Sequence, residues 1–273
     1  MRKISVSRAD YPCIKITLYS NQPQSMKTFI YLFFATFISM TTFAKKQDTR
    51  YYEMRIYYCE PGKLPDLLTR FRDHTTKLFE KHGMTNVGYW VPITNDKNAL
   101  YYVLSYPNKE ARDASWKAFG ADPEWKTVRE ASEKNGKIVA RVESIFMNTT
   151  DFSPAVKAQK KNPERVFELR IYTADTGKLD DLQARFRNYT LKLFKKHGMQ
   201  NIVYWTSIEK EGTQSKLVYL LAHKSEAAGK ASFEAFRNDP KWVKARDESE
   251  KNGKLAIKVE SIYMTPTDFS EIR

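Results

Sequence analysis

Between residues 51 and 58 the chain alternates. Tyr52, Met54 and Ile56 fall on one side, Glu53, Arg55 and Tyr57 on the other. A period of two in a run rich in aromatic side chains predicts a β-strand. The pattern then changes: Leu64, Leu67, Leu68, Phe71, Leu78 and Phe79 recur at the spacing of one buried helix face. Residues 86–93 and 99–106 read as two strands joined by TNDKN, whose Asn and Asp suit a hairpin turn. Residues 109–134 return to helical spacing, interrupted at Asp122-Pro123, where Asp serves as an N-cap and Pro as the first helical residue. Asn135-Gly136 stops that helix, and residues 138–147 read as a last strand. Strand, helix, strand, strand, helix, strand is the ferredoxin-like order.

The same pattern occurs twice. YYEMRIYYCEPGKL at 51–64 matches VFELRIYTADTGKL at 166–179, and KLFEKHGM at 77–84 matches KLFKKHGM at 192–199. Past Trp90 and Trp205 the spacing grows by two residues, taken up in the polar turn EKEGTQSK. DPEW (122–125) then matches DPKW (239–242), SEKNGK recurs at 132–137 and 249–254, and TDFS at 150–153 and 267–270. Self-similarity of this length predicts tandem domains of one fold, residues 51–153 and 166–270, joined by the polar linker 154–165. The fold class is therefore α+β, with two βαββαβ units expected to pack sheet to sheet.

Two of the four histidines, His82 and His197, lie in the matching octets. Gly83 and Gly198 follow them, where a helix ends in a left-handed backbone that glycine adopts without steric cost. Met84 and Met199 are placed for the apolar contact that accompanies such a stop. No second ligand stands nearby, so the octets read as helix stops rather than metal or catalytic devices. His74 and His223 align with Tyr189 and Tyr106 of the opposite copy, which argues against an indispensable role for either.

The net charge of +14 changes little, because part of it (Arg2, Lys3, Arg8, Lys15, Lys27) precedes the repeats and the remainder is interleaved with acids. A nucleic-acid groove would need clustering that is absent. From Met26 the chain reads MKTFIYLFFATFISMTTFAKK, an apolar run of signal-peptide length with small residues before Lys45. Residues 1–44 are accordingly read as an upstream extension and a cleaved signal, with Met26 as the start, and the mature protein as exported without stable membrane insertion. The competing reading, a mitochondrial-type presequence, rests on the basic residues before Met26. Cleavage would leave Cys59 alone, with no disulfide and with Ala174 in its place in the second copy.

The βαββαβ unit with E-x-R-x-Y, PGK or TGK, LFEKHGM-x-N-V-G-Y-W, DPEW and terminal TDFS resembles the NIPSNAP family across both repeats. The second copy departs in NIVYW and in Phe233 for Trp116. The family is similar to the dimeric α/β-barrel superfamily, in which two ferredoxin-like sheets close face to face. The resemblance implies a barrel formed within one chain. That superfamily includes cofactor-free monooxygenases and haem proteins, NIPSNAP proteins themselves have no settled reaction, and eukaryotic relatives are associated with mitochondria and protein recruitment.

Strand parity supplies the candidate chemistry. The set Tyr52, Met54, Ile56 and its copy Phe167, Leu169, Ile171 are expected to face the helices. Glu53, Arg55, Tyr57, Glu168, Arg170 and Tyr172 would then line the barrel interior, with Glu143 and Glu260 from the last strands. An enclosed arginine holds carboxylates or phosphates by a bidentate fork, and a neighbouring glutamate suits a base. The competing reading is an internal ion network that only fixes packing. No phosphate loop, CxxC pair, HExxH or GxSxG motif occurs in the sequence, so no metal or cofactor is expected. A haem site would need an apolar lumen, against this reading. Trp90, Trp125, Trp205 and Trp242 read as core anchors. The expected function is binding of a small anionic molecule in the barrel, with oligomers possible. The alternative is a non-catalytic interaction module with a filled barrel.

Overall fold

A computed structural model of the chain describes residues 47–160, 165–208 and 213–273. The leader read at 1–44 lies outside the described residues. The first repeat runs β1 (Tyr51–Cys59), α1 (Leu64–Arg70), α2 (Thr76–Lys81), β2 (Thr85–Pro92), β3 (Ala99–Tyr106), α3 (Lys109–Ala121), α4 (Pro123–Ser132) and β4 (Val139–Thr149). The second repeats it as β5 (Val166–Ala174), α5 (Leu179–Arg185), α6 (Leu191–Lys196), β6 (Gln200–Ser207), β7 (Lys216–His223), α7 (Glu226–Arg237), α8 (Pro240–Glu250) and β8 (Ala256–Pro266). The eight strands close one barrel in the order β1-β3-β2-β8-β5-β7-β6-β4. Residues 45–273 form a single compact unit.

The helix expected over 64–79 is interrupted. Between α1 and α2, Phe71–Thr75 make one π-helical turn, in which the Thr76 N–H reaches back to the Phe71 carbonyl. The carbonyl of Arg70, displaced by the wider turn, accepts from the Thr75 hydroxyl at 3.1 Å. Thr190 repeats this on the Arg185 carbonyl at 3.2 Å. Threonine at that position satisfies a backbone group that the wider turn would otherwise strand.

The helix stops form as expected. Gly83 and Gly198 have φ of +77° and +78°, and the amides of Met84 and Met199 each return 2.9 Å to the carbonyls of Phe79 and Phe194. His82 and His197 are not free at these ends. Their Nε2 atoms lie 2.6 and 2.8 Å from the carboxylates of Asp122 and Asp239. Those aspartates cap α4 and α8 through the amides of Glu124 and Lys241. Each octet thus locks the end of one helix to the start of another.

Only short ladders join the repeats. Trp90–Pro92 of β2 pair with Met264–Pro266 of β8, and Met147–Thr149 of β4 with Trp205–Ser207 of β6. The TDFS tails carry the rest. Ser270 accepts from the Tyr89 amide at 2.9 Å and Ser153 from the Tyr204 amide at 3.0 Å. Arg72 grips Asp268 with two hydrogen bonds, and Arg187 grips Asp151 likewise. Each repeat is therefore clasped by the tail of the other.

The barrel interior is apolar, which corrects the expected orientation of the strands. Tyr52, Met54, Ile56, Trp90 and Met147 of one repeat pack there against Phe167, Leu169, Ile171, Trp205 and Met264 of the other. Val156 of the linker and Ile272 of the C-terminal segment join this cluster. The two sheets supply the driest space in the molecule to each other, so the apolar central parts of these faces meet, with Arg141, Glu143, Lys258 and Glu260 of the same parity left half-exposed. The charged face is left for the helices.

Candidate functional site

The Glu–Arg–Tyr face of β1 lies beneath α3, and that of β5 beneath α7. In the first repeat the Glu53 carboxylate has no exposed surface. It accepts from Arg55 Nη1 at 2.6 Å, from Arg112 Nε and Nη2 at 2.9 Å each, from Trp116 Nε1 at 2.9 Å and from the Tyr106 hydroxyl at 3.2 Å. Burial alone would raise the pKa of Glu53. The Arg112 hydrogen bonds and the Arg55 and Arg112 charges outweigh it and hold the carboxyl below its ordinary value. The Arg55 guanidinium sits 4.3 Å over the Trp116 ring and 5.5 Å from that of Tyr57. The cation thus stacks on protein rings, while its Nε is buried without a hydrogen-bond partner.

The second repeat solves the same problem with different residues. Glu168, also without exposed surface, accepts from Arg170 Nη1 and the Ser261 hydroxyl at 2.6 Å each, and His223 Nε2 lies 3.0 Å away. Again burial would raise its pKa, and the His223 hydrogen bond with the Arg170 charge lowers it overall. Where the first repeat has Arg112, the second has Gly229. A Cβ there would stand within 3.0 Å of Tyr263 and His223, so those two rings occupy the room that the arginine takes in the first copy. Arg170 lies 4.2 Å over Phe233, the counterpart of Trp116.

The structure therefore brings Glu53, Arg55 and Tyr57 together, and Glu168, Arg170 and Tyr172 together, as two separate clusters outside the barrel. Neither faces a shared lumen. Glu143 and Glu260 join neither cluster. Each is about half exposed near the start of its strand, Glu143 bonded to Arg141 and to the Tyr58 hydroxyl, Glu260 paired with Lys258 at 2.9 Å. The pairing register explains this, since Glu143 stands opposite Ile56 and Glu260 opposite Ile171, the parity opposite to Arg55 and Arg170.

Sequence reasoning did not single out Arg112, Tyr106, Ser261 and Tyr263. The repeat held a signal for all but Ser261, whose counterpart Ser144 is unchanged. Arg112, Tyr106, Trp116 and Phe146 align with Gly229, His223, Phe233 and Tyr263, four changes that converge on one carboxylate. Cys59 is buried, and burial pushes its thiol up to about 11, far from a reactive thiolate.

Open space lies at the margins of the barrel, where it touches Val87, Val156 and Ile272 of the interior cluster on one side and Ala99, Tyr101 and Ile262 on another. A cleft of about 490 Å³ is bounded by Arg50, Glu80, Asn86, Lys157 and Glu271. A groove of about 500 Å³ runs between α1 and α4 past Arg70, His74 and Val128. Among the described residues no cluster of three or more His, Cys, Asp or Glu is placed to hold a metal. None of their helices is long and apolar enough to cross a membrane.

The NIPSNAP family model matches residues 52–154 and 167–271, both repeats nearly end to end. The human protein NipSnap homolog 3A is 29% identical over 140 residues, 51% of this chain and 54% of the relative. A NipSnap homolog of Dictyostelium discoideum is 24% identical over 141 residues, 51% of this chain and 56% of the relative. The chain thus spans about half the length of the curated relatives it matches. The fold is similar to that of a solved anthrone oxidase-like protein, with a TM-score of 0.54 at 13% identity over 82% of this chain and 94% of that one. With both repeats matched, the chain belongs to the NIPSNAP family.

Proposed function

We propose that this chain is an exported, non-catalytic interaction module whose barrel is a filled, rigid core and whose working surfaces lie outside it. One observation carries the reading: the interior is occupied by the chain's own Tyr, Trp, Phe, Leu and Met side chains. The charged pairs that would hold an anion are shut between sheet and helices. The guanidiniums of Arg55 and Arg170 are already committed to Glu53 and Glu168 and to aromatic faces. An anionic ligand would have to displace a carboxylate held in part by those bonds, at the cost of leaving it buried and unpaired.

Thermal melting in a series of small carboxylates and inorganic phosphate tests the reading. No saturable rise in Tm is expected. A saturable rise that disappears in Arg55→Met combined with Glu53→Leu would restore the binding role of that cluster. The export part rests on residues 26–44 and is tested by N-terminal sequencing of protein from its native host. Lys45 is the expected first residue, and a soluble product retaining residues 26–44 would overturn it.

A further inference from the structure

Six large apolar side chains are conspicuously exposed among the described residues, and five of them (Ile93, Val142, Ile208, Ile257 and Val259) lie along the two junctions between the repeats. That concentration is more than the scattered surface apolar residues of an ordinary monomer. The strand pairing explains it. Among the described residues, the last backbone bond across one junction is Ile93 N–H to the Tyr263 carbonyl at 2.9 Å, and across the other Ile208 N–H to the Phe146 carbonyl at 2.7 Å. Below Tyr263, among the described residues, β8 pairs with β5 on one side only, and below Phe146, β4 pairs with β1 on one side only. In an antiparallel ladder alternate residues turn both N–H and C=O to the same edge. Ser261 and Val259, like Ser144 and Val142, therefore present theirs to the open edge, where no backbone partner occurs among the described residues.

Edge strands of this kind are ordinarily blunted with charged side chains, lysine above all. Here the charges flanking the central valine differ in sign: Lys258-Val259-Glu260 on β8 and Arg141-Val142-Glu143 on β4. All four charged side chains are about half exposed. In an antiparallel pair centred on the valine, Lys258 of one strand faces Glu260 of the other, and the reverse, while the valines meet. The same holds for Arg141 and Glu143. An in-register parallel pair would set like charges opposite and is disfavoured. The motif is complementary to itself.

We infer that these open edges are sites of self-association, at which β8 or β4 of one copy pairs antiparallel with the same edge of a second copy of this chain. The inference rests on the interaction-module reading and names its partner, and its test is independent of anion binding. Each contact is isologous, with exposed Val259 or Val142 at its centre.

Sedimentation velocity of the full chain across micromolar concentrations tests it. The wild type is expected to show a reversible, concentration-dependent dimer or larger species. Arg141→Glu with Lys258→Glu sets like charges opposite and is expected to shift the midpoint of association at least tenfold upward in concentration. Adding Glu143→Lys and Glu260→Lys recreates complementarity in reverse and is expected to restore association. Because all four side chains are exposed, circular dichroism melts should match the wild type and confirm folding. A wild type that stays monomeric, a dimer indifferent to the double change, or a fourfold variant that fails to re-associate would each overturn the inference. Association only with an extended peptide of another protein would overturn it as well.

Discussion

Glu53 and Glu168 are carboxylates with no exposed surface, and their neighbours decide what they do. Both have folded-state pKa values lowered below the ordinary one, so each stabilises the fold fully above the unfolded value of about 4.3. That contribution is lost as pH falls through the lowered folded values, and the melting temperature should drop steeply in that acid range. Removing the charge at neutral pH should be worse still. Glu53→Gln leaves Arg55 and Arg112 without their counter-charge and is expected to cost about 3–5 kcal/mol. Glu168→Gln strands only Arg170 and should cost less, a ranking that denaturant unfolding of the two variants reads directly. Gly88 gives a third test at this scale. Trp90 folds its ring against that Cα, so a Cβ would collide with it. Gly88→Val is expected to destabilise by about 1–3 kcal/mol through overpacking, although valine stands at the matching position, Val203, of the second repeat.

At the scale of elements, the tails that clasp opposite repeats separate two kinds of contact. Asp268 and Asp151 pair with arginines in solvent, so Asp268→Asn should cost no more than about 1 kcal/mol. Ser270 is wholly buried and holds the Tyr89 amide. Ser270→Ala strands that donor and is expected to cost about 1–3 kcal/mol by denaturant unfolding. Much of the element order was legible beforehand: the repeat, the hairpins, the Asp-Pro helix starts and the Gly83 and Gly198 stops all follow from local chemistry. The π-helical turns were not, because Phe71 and Leu78 keep the same buried stripe whether or not one extra residue is accommodated between them. The face assignment was inverted for a related reason. Parity separates Met54 from Arg55 but does not say which side is enclosed, and here both sides are covered, one by a second sheet and one by α3. Arg112 and Trp116 reach down from that helix to Glu53 across a separation of about sixty residues. Only the mismatches between the copies, Arg112 with Gly229 and Trp116 with Phe233 among them, hinted at it.

For the molecule as a whole, the paired sheets matter more than any single residue. Tyr52, Met54 and Ile56 are buried by Phe167, Leu169, Trp205 and their neighbours, residues that a lone repeat lacks. Neither sheet can expose such a face to water and remain a monomer. The short ladders at the two junctions add few backbone bonds, so the shared apolar interior and the crossed tails hold the repeats together. The most direct measurement is sedimentation equilibrium of residues 45–154 alone, with circular dichroism to establish folding. The isolated repeat is expected to self-associate, rebuilding a barrel from two copies, or to aggregate. A folded, monodisperse monomer would contradict a barrel whose interior is completed by the second repeat.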